Sequence, residues 1–208
     1  MHTALAVLLL AAGASRRMGG TDKLLLPVDG VAMLRRQARA CLEAGLTVTV
    51  TVPGPAHPRV TALSGLAVTL AQVEGDDGMG GSLRAGLEIL PKDASGVMIV
   101  LGDMPGLDAS DFRRLARAHD NAPHAILHGE TEDGIRGHPV VFPADLIPML
   151  RGCKGDRGGQ RVLAACQARV QGIPLPGQRA IQDIDTPRDW AAWLAAQTSA
   201  PSTRSDRA

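Results

Sequence analysis

Four apolar runs, at residues 4–10, 46–52, 66–72 and 96–102, constrain the fold of this 208-residue chain more than any other feature. Each has the length of a strand buried on both faces and only about half that of a membrane span. Between the first two, Leu34, Ala38, Cys41 and Leu42 fall at i, i+4, i+7 and i+8, one face of a helix that ends at Gly45. Between the last two, Leu83, Leu87 and Leu90 repeat helical spacing, with Ser82 placed as N-cap and Pro91 as the stop. This alternation predicts an α/β domain of three layers, a mostly parallel sheet with a Rossmann-like N-terminal half, whose ligands gather where loops leave the carboxyl ends of the strands.

After residue 110 the rhythm loosens. The spacing predicts a helix at 110–119, strands near 124–128 and 139–142, a short helix at 144–150, a helix to about 167, a strand near 170–175 and a last helix over 187–196. This mixed C-terminal part reads as a lid or side sheet. The length suits one domain, residues 1–197, and the Ser-, Thr- and Arg-rich stretch 198–208 reads as a disordered tail.

A formal net charge of +1 carries no electrostatic footprint of a protein that coats nucleic acid or an anionic membrane. Two Phe, two Trp and no Tyr argue against a platform that stacks bases or sugars. Cys41, Cys153 and Cys166 are odd in number and widely spaced, which suggests neither a disulfide framework nor a zinc cluster and fits a reducing cytoplasm.

Three segments carry the chemistry. The loop after the first run, Leu10-Ala11-Ala12-Gly13 to Arg17-Met18-Gly19-Gly20-Thr21-Asp22-Lys23, joins small residues to a guanidinium and an ammonium. Small residues let backbone N–H groups approach phosphate oxygens; an ordinary βα loop with solvated basic residues is the alternative. The loop is neither a Walker loop nor the GxGxxG fingerprint. The fourth run ends in Gly102-Asp103-Met104-Pro105, where a carboxylate either holds a divalent ion shared with a nucleotide or merely forms an Asx turn. In Asp183-Ile184-Asp185-Thr186-Pro187, Asp185 offers a second metal ligand, and Asp185 or Thr186 an N-cap.

In order and approximate spacing, these segments and Gly137-His138-Pro139 resemble the molybdenum-cofactor nucleotidyltransferases, which have a glycosyltransferase-A-like fold. The resemblance covers nearly the whole chain to about residue 195. It implies that Leu10, Ala11, Ala12, Gly13, Arg17 and Lys23 surround a triphosphate, that Asp103 and Asp185 hold Mg²⁺, and that Arg17, Lys23 and Asp103 act in catalysis. Ser82 is implied near the nucleotide and His138 near the acceptor, with a helix N-cap and a turn residue as the respective alternatives. Asp156, with Arg157, is read as a grip on the acceptor phosphate or as the cap of the following helix.

Leu-Ala-Ala-Gly is the form typical of the cytidylyltransferase branch, which implies CTP and a molybdopterin acceptor. Asp22 before Lys23, after the double glycine, is equally associated with the guanylyltransferase branch and keeps GTP open. A molybdoenzyme or its chaperone is the implied recipient. The same fold and loop also serve sugar phosphates and isoprenoid precursors.

Overall fold

A computed structural model describes residues 4–73, 78–152 and 158–199. The four apolar runs form β1 (Ala6–Leu10), β4 (Thr47–Val52), β5 (Val68–Gln72) and β6 (Gly96–Leu101). They pair in parallel, in the order β5-β4-β1-β6. Alternate residues of β1 enter opposite cores, Val7 and Leu9 on one face and Ala6 and Leu8 on the other. Burial on both faces is why the run lacks the polar alternation of a half-solvated strand.

Helices cover both faces. On the first lie α1 (Met33–Glu43) and α4 (Ala109–Asn121), which bury Leu34, Ala38, Cys41, Phe112 and Leu115. The α1 stripe is the one read from its spacing. The helix closes when Gly45, at φ +81°, lets its own N–H and that of Leu46 return to the carbonyls of Leu42 and Cys41. The opposite face carries α3 (Gly78–Glu88), α5 (Ile147–Arg151) and α6 (Gly158–Ala165), with Leu83, Leu87, Leu150 and Val162 packed inward. Each such leucine removed from water contributes roughly 2 kcal/mol.

The C-terminal strands form no separate lid or side sheet. The strand β8 (Arg136–Pro143) pairs antiparallel with β6, matching Val97 to Phe142 and Ile99 to Val140. Beyond it, β7 (Ile126–Glu130) and β9 (Val170–Pro174) complete one seven-stranded sheet. The reason is apolar continuity: the Val140-Val141-Phe142 run is buried, as is the edge of β6 that it covers.

Two elements were not expected. Between the first loop and α1 lies a two-stranded hairpin, β2 (Pro27–Val28) and β3 (Val31–Ala32), turned by Asp29 and Gly30, both at positive φ. A short helix, α2 (Pro58–Ala62), follows β4 and is capped by the His57 ring, which accepts from the Arg59 N–H. The last helix, α7 (Pro187–Ser199), runs three residues beyond the expected end, and 200–208 lie outside the described residues. Among the described residues no helix is long and apolar enough to cross a membrane.

Candidate active site

At the carboxyl end of β1 the chain enters the small-residue loop. The Ala11 N–H donates to Thr51 Oγ1 at 2.9 Å, tying the loop's first residue to β4. Ala12 is half-buried and Gly13 and Ala14 are exposed, so this stretch faces outward. A single 3-10 turn, Arg16–Met18, follows, with Met18 buried beneath it. Gly19 and Gly20, at φ +63° and +93°, reverse the chain where a side chain would be strained. Asp22 then caps the 3-10 turn Lys23–Leu25 by accepting from the Leu24 N–H at 3.1 Å.

The capped turn aims Lys23 at the end of β6. There the Gly102 N–H donates to the Leu10 carbonyl at 3.1 Å, and an added Cβ at 102 would crowd that carbonyl and Leu24. Asp103 follows, and its carbonyl accepts from the Ile184 N–H at 2.9 Å. This one backbone bond, with Ile184 buried in the core, brings the Asp183-Ile184-Asp185 segment against the β6 loop.

Lys23 Nζ donates to Asp103 Oδ2 at 2.6 Å and to Asp185 Oδ1 at 2.8 Å. The other Asp185 oxygen, Oδ2, meets the Arg17 guanidinium at 2.7 Å. The contributions differ: the Lys23 side chain is 13% exposed and that of Arg17 72%, so the outer pair is worth at most about 1 kcal/mol. Burial alone would lower the Lys23 pKa, but the two carboxylates outweigh it and raise it, so the ammonium stays charged. Asp183 is shifted upward, first by burial and then by repulsion from Asp103 and Asp185.

Asp185 is free for this role because Thr186 takes the N-cap. The Thr186 hydroxyl accepts from the Asp189 N–H at 3.2 Å, and Asp189 Oδ2 accepts in return from the Thr186 N–H at 2.7 Å. The buried oxygen Asp103 Oδ1 has no hydrogen-bond partner. Among the described residues no three His, Cys, Asp or Glu side chains group to hold a metal, so a cation here would rest on two carboxylates.

The remaining expected residues are placed differently. His138 lies on β8, its N–H donating to the Ala180 carbonyl at 2.7 Å; a Cβ on Gly137 would collide with that carbonyl. Burial lowers the His138 pKa, with the nearby Asp103 charge pulling the other way, and its Nδ1 is buried without a partner. Ser82 is not an N-cap. It sits inside α3, four residues after the first, with its hydroxyl 3.5 Å from the Gly78 carbonyl. The helix starts earlier because Gly78-Met79-Gly80-Gly81 is helical despite its glycines. Asp156 lies outside the described residues, as do Cys153 and Arg157.

The profile of the MobA-like NTP transferase domain matches residues 7–170, a span that holds the small-residue loop, Lys23 and Asp103. The chain belongs to that family. Among the proteins it resembles, the nicotine blue oxidoreductase of Paenarthrobacter nicotinovorans is 30% identical over 86% of this chain and 90% of its own length. A probable molybdenum cofactor guanylyltransferase of Opitutus terrae is 29% identical over 84% and 86%. The crystal structure of Rv0371c from Mycobacterium tuberculosis H37Rv superposes with a TM-score of 0.80 at 28% identity, covering 94% of this chain and 100% of that one. The same protein has been solved in complex with manganese, with a TM-score of 0.78.

This MobA-like protein is thus a nucleotidyltransferase with the α/β fold expected of it. The sequence pattern missed one residue near the loop. Arg59, on α2, is only 2% exposed and touches the loop at several points. Its neighbours, His57-Pro58 and Val60, mark a capped turn and nothing about charge.

Proposed function

We propose that the protein transfers CMP from CTP to the terminal phosphate of molybdopterin, forming the cytosine dinucleotide cofactor and releasing pyrophosphate. The observation that carries this reading is the convergence of Lys23 and Arg17 with Asp103 and Asp185 where β1 and β6 end. A phosphate monoester is already an anionic nucleophile, so an acceptor oxygen attacks the α-phosphorus in line and no covalent enzyme intermediate is needed. Lys23 and Arg17 offset the repulsion between two anionic reactants and stabilise the departing pyrophosphate.

The residues fit a hard divalent cation such as Mg²⁺. Asp103 Oδ1 is buried without a partner, Asp185 supplies a second carboxylate, and Mg²⁺ takes one or two carboxylates with the rest from substrate and water. The manganese complex of the M. tuberculosis protein supports a cation in this fold. When bound, the ion would neutralise phosphate charge and make the α-phosphorus more electrophilic. Asp103 and Asp185 would hold it, and Leu10 to Gly13 would line the triphosphate. We place His138 on the acceptor side, and the reaction in the cytoplasm, where Cys41 and Cys166 stay free thiols.

The choice of CTP rests on Ala12 in Leu-Ala-Ala-Gly. Asp22, the residue that points to GTP, has both carboxylate oxygens on Arg59, which supports a structural use for it. The relative named a guanylyltransferase favours GTP as a second reading, and the relative named an oxidoreductase favours a third, an oxidoreduction. The loop's lack of the dinucleotide fingerprint weighs against the third.

The test is pyrophosphate release with CTP and GTP in parallel, with Mg²⁺, with and without molybdopterin carrying molybdenum. Release with CTP alone, dependent on metal and acceptor, is expected. Release with GTP alone moves the protein to the sister reaction. No release with either, together with NADH or NADPH oxidation on an aromatic acceptor, would replace transfer by reduction.

A further inference from the structure

The Arg59 side chain is among the largest that are fully buried, and a buried guanidinium is costly unless every donor is met. Here all five N–H groups have a partner. Nε and Nη2 donate to Asp22 Oδ2 and Oδ1 at 2.8 and 2.7 Å, the two-pronged geometry that only a planar fork provides. Nη1 donates to the carbonyls of Ala11 at 2.6 Å and Gly13 at 2.8 Å, and Nη2 to Ser15 Oγ at 3.2 Å. One side chain therefore holds the first residues of the loop and, through Asp22, the turn that aims Lys23.

The two carbonyl bonds have a directional effect. In a trans peptide the C=O and the following N–H point opposite ways. Turning the carbonyls of residues 11 and 13 inward to the guanidinium turns the N–H groups of Ala12 and Ala14 away from it, toward the accessible side of the loop. Nothing lies within 4 Å of where a Cβ on Gly13 would stand, so that side is open. Outward N–H groups from successive small residues are what a phosphate chain binds.

We propose that Arg59 is the positioning residue of the phosphate loop: from behind, it orients the outward N–H groups and Lys23 as one body, and so sets affinity for the nucleoside triphosphate without touching it. The proposal rests on the reading of residues 10–23 as the nucleotide site.

Arg59→Lys keeps the charge and loses the fork. Three measurements on the full chain test it: CTP and GTP binding by calorimetry with Mg²⁺, the KM values for nucleotide and acceptor, and the rate of tryptic cleavage after Arg16 and Arg17. Expected are a nucleotide KM and Kd raised about tenfold to 10²-fold, the cost of a small misplacement, an acceptor KM within about twofold, and faster cleavage of the loop. A loosened loop with unchanged nucleotide affinity overturns the positioning role, as does an unchanged cleavage rate. If the unsubstituted protein binds neither nucleotide, the nucleotide-site reading falls and takes the positioning role with it, while the cleavage comparison still reports the clamp. Should Arg59→Lys not fold, Arg59→Met with Asp22→Leu removes both charges together, which cores often tolerate, and carries the same expectations.

Discussion

Asp22 and Lys23 are neighbours in the chain and belong to two charged clusters of opposite character. Behind the loop, Arg59 and Asp22 form a closed unit: five donors and five acceptor contacts, with the guanidinium buried. In front of it, Lys23, Arg17, Asp103 and Asp185 are partly exposed, an oxygen of Asp103 lacks a partner, and the charges of Asp103 and Asp185 reach Asp183. The first cluster has completed its interactions in the fold. The second is partly open to solvent and keeps acceptor capacity unused, which is what the proposed transfer asks of a site that takes a cation and an anion together.

If the contrast is right, the clusters fail in different ways. Asp22→Ala leaves a buried guanidinium without its counter-charge and is expected to cost about 3 kcal/mol or more of stability. In a chain of this size that lowers Tm by roughly 6–12 °C, which a thermal melt reads. A melt shifted by only a degree or two would show that the rear cluster is not structural.

Asp103→Ala should do the reverse. Lys23 keeps Asp185 as its partner and the cluster is partly exposed, so the melt should change little, whereas turnover should fall on the order of 10²-fold or more. Initial rates of pyrophosphate release provide the check, and near-normal turnover with an unchanged Mg²⁺ requirement would remove Asp103 from the site.

Lys23→Met sharpens the account of the front cluster. The ammonium lies between the two carboxylates at 2.6 and 2.8 Å. Without it, Asp103 and Asp185 are less neutralised, and Mn²⁺ should bind in the absence of nucleotide roughly tenfold more tightly, a scale set by a screened charge near a protein surface. Titration followed by the electron spin resonance of free Mn²⁺ reads this without any turnover. Unchanged affinity would mean that the carboxylates hold the cation elsewhere, if at all.

Much of this was legible in the sequence because two periodicities and one charge pattern survive without tertiary knowledge. β1 and β6 showed as apolar runs because both their faces are buried, whereas the edge strand β5 leaves Thr69 and Gln72 exposed, and α1 showed because its inward stripe repeats at helical spacing. Asp103 and Asp185 were legible from their places at a strand end and before a proline-started helix, and the backbone bond from Ile184 to the Asp103 carbonyl brings them together. Ser82 misled because a serine before a leucine repeat has the pattern of an N-cap, while α3 begins in glycines of poor helix propensity. The β2–β3 hairpin has strands of two residues, too short for alternation to register, although Asp29-Gly30 is a hairpin turn pair. Arg59 left no trace at all, since a lone arginine in a short turn is solvated in most proteins. What makes it the centre of a cluster is a set of carbonyls 46 and 48 residues away, which only the fold supplies.

An unpartnered buried atom does not by itself mark function, and His119 shows the difference. It lies on α4, with Nε2 3.2 Å from Ser95 Oγ and Nδ1 buried without a partner, as for Asp103 Oδ1, but where Asp103 meets the Lys23 ammonium, His119 meets a serine hydroxyl. Burial lowers its pKa, against smaller opposing effects of Ser95 and Asp120. A folded-state pKa below the unfolded value of about 6.5 means that the unfolded chain binds the proton more readily. The associated stability is present above that pH and lost as pH falls through the folded-state value. His128 and His138 are shifted the same way by burial, so the three imidazoles act together on acid stability. His119→Gln should therefore flatten the fall in Tm between about pH 7 and pH 5 and leave pyrophosphate release unchanged. Of the effects predicted here it is the smallest. A loss of turnover in this variant at neutral pH, with an unchanged melt, would show that an incomplete hydrogen bond far from the charged cluster matters to catalysis, and the contrast between the two clusters would then not rest on charge.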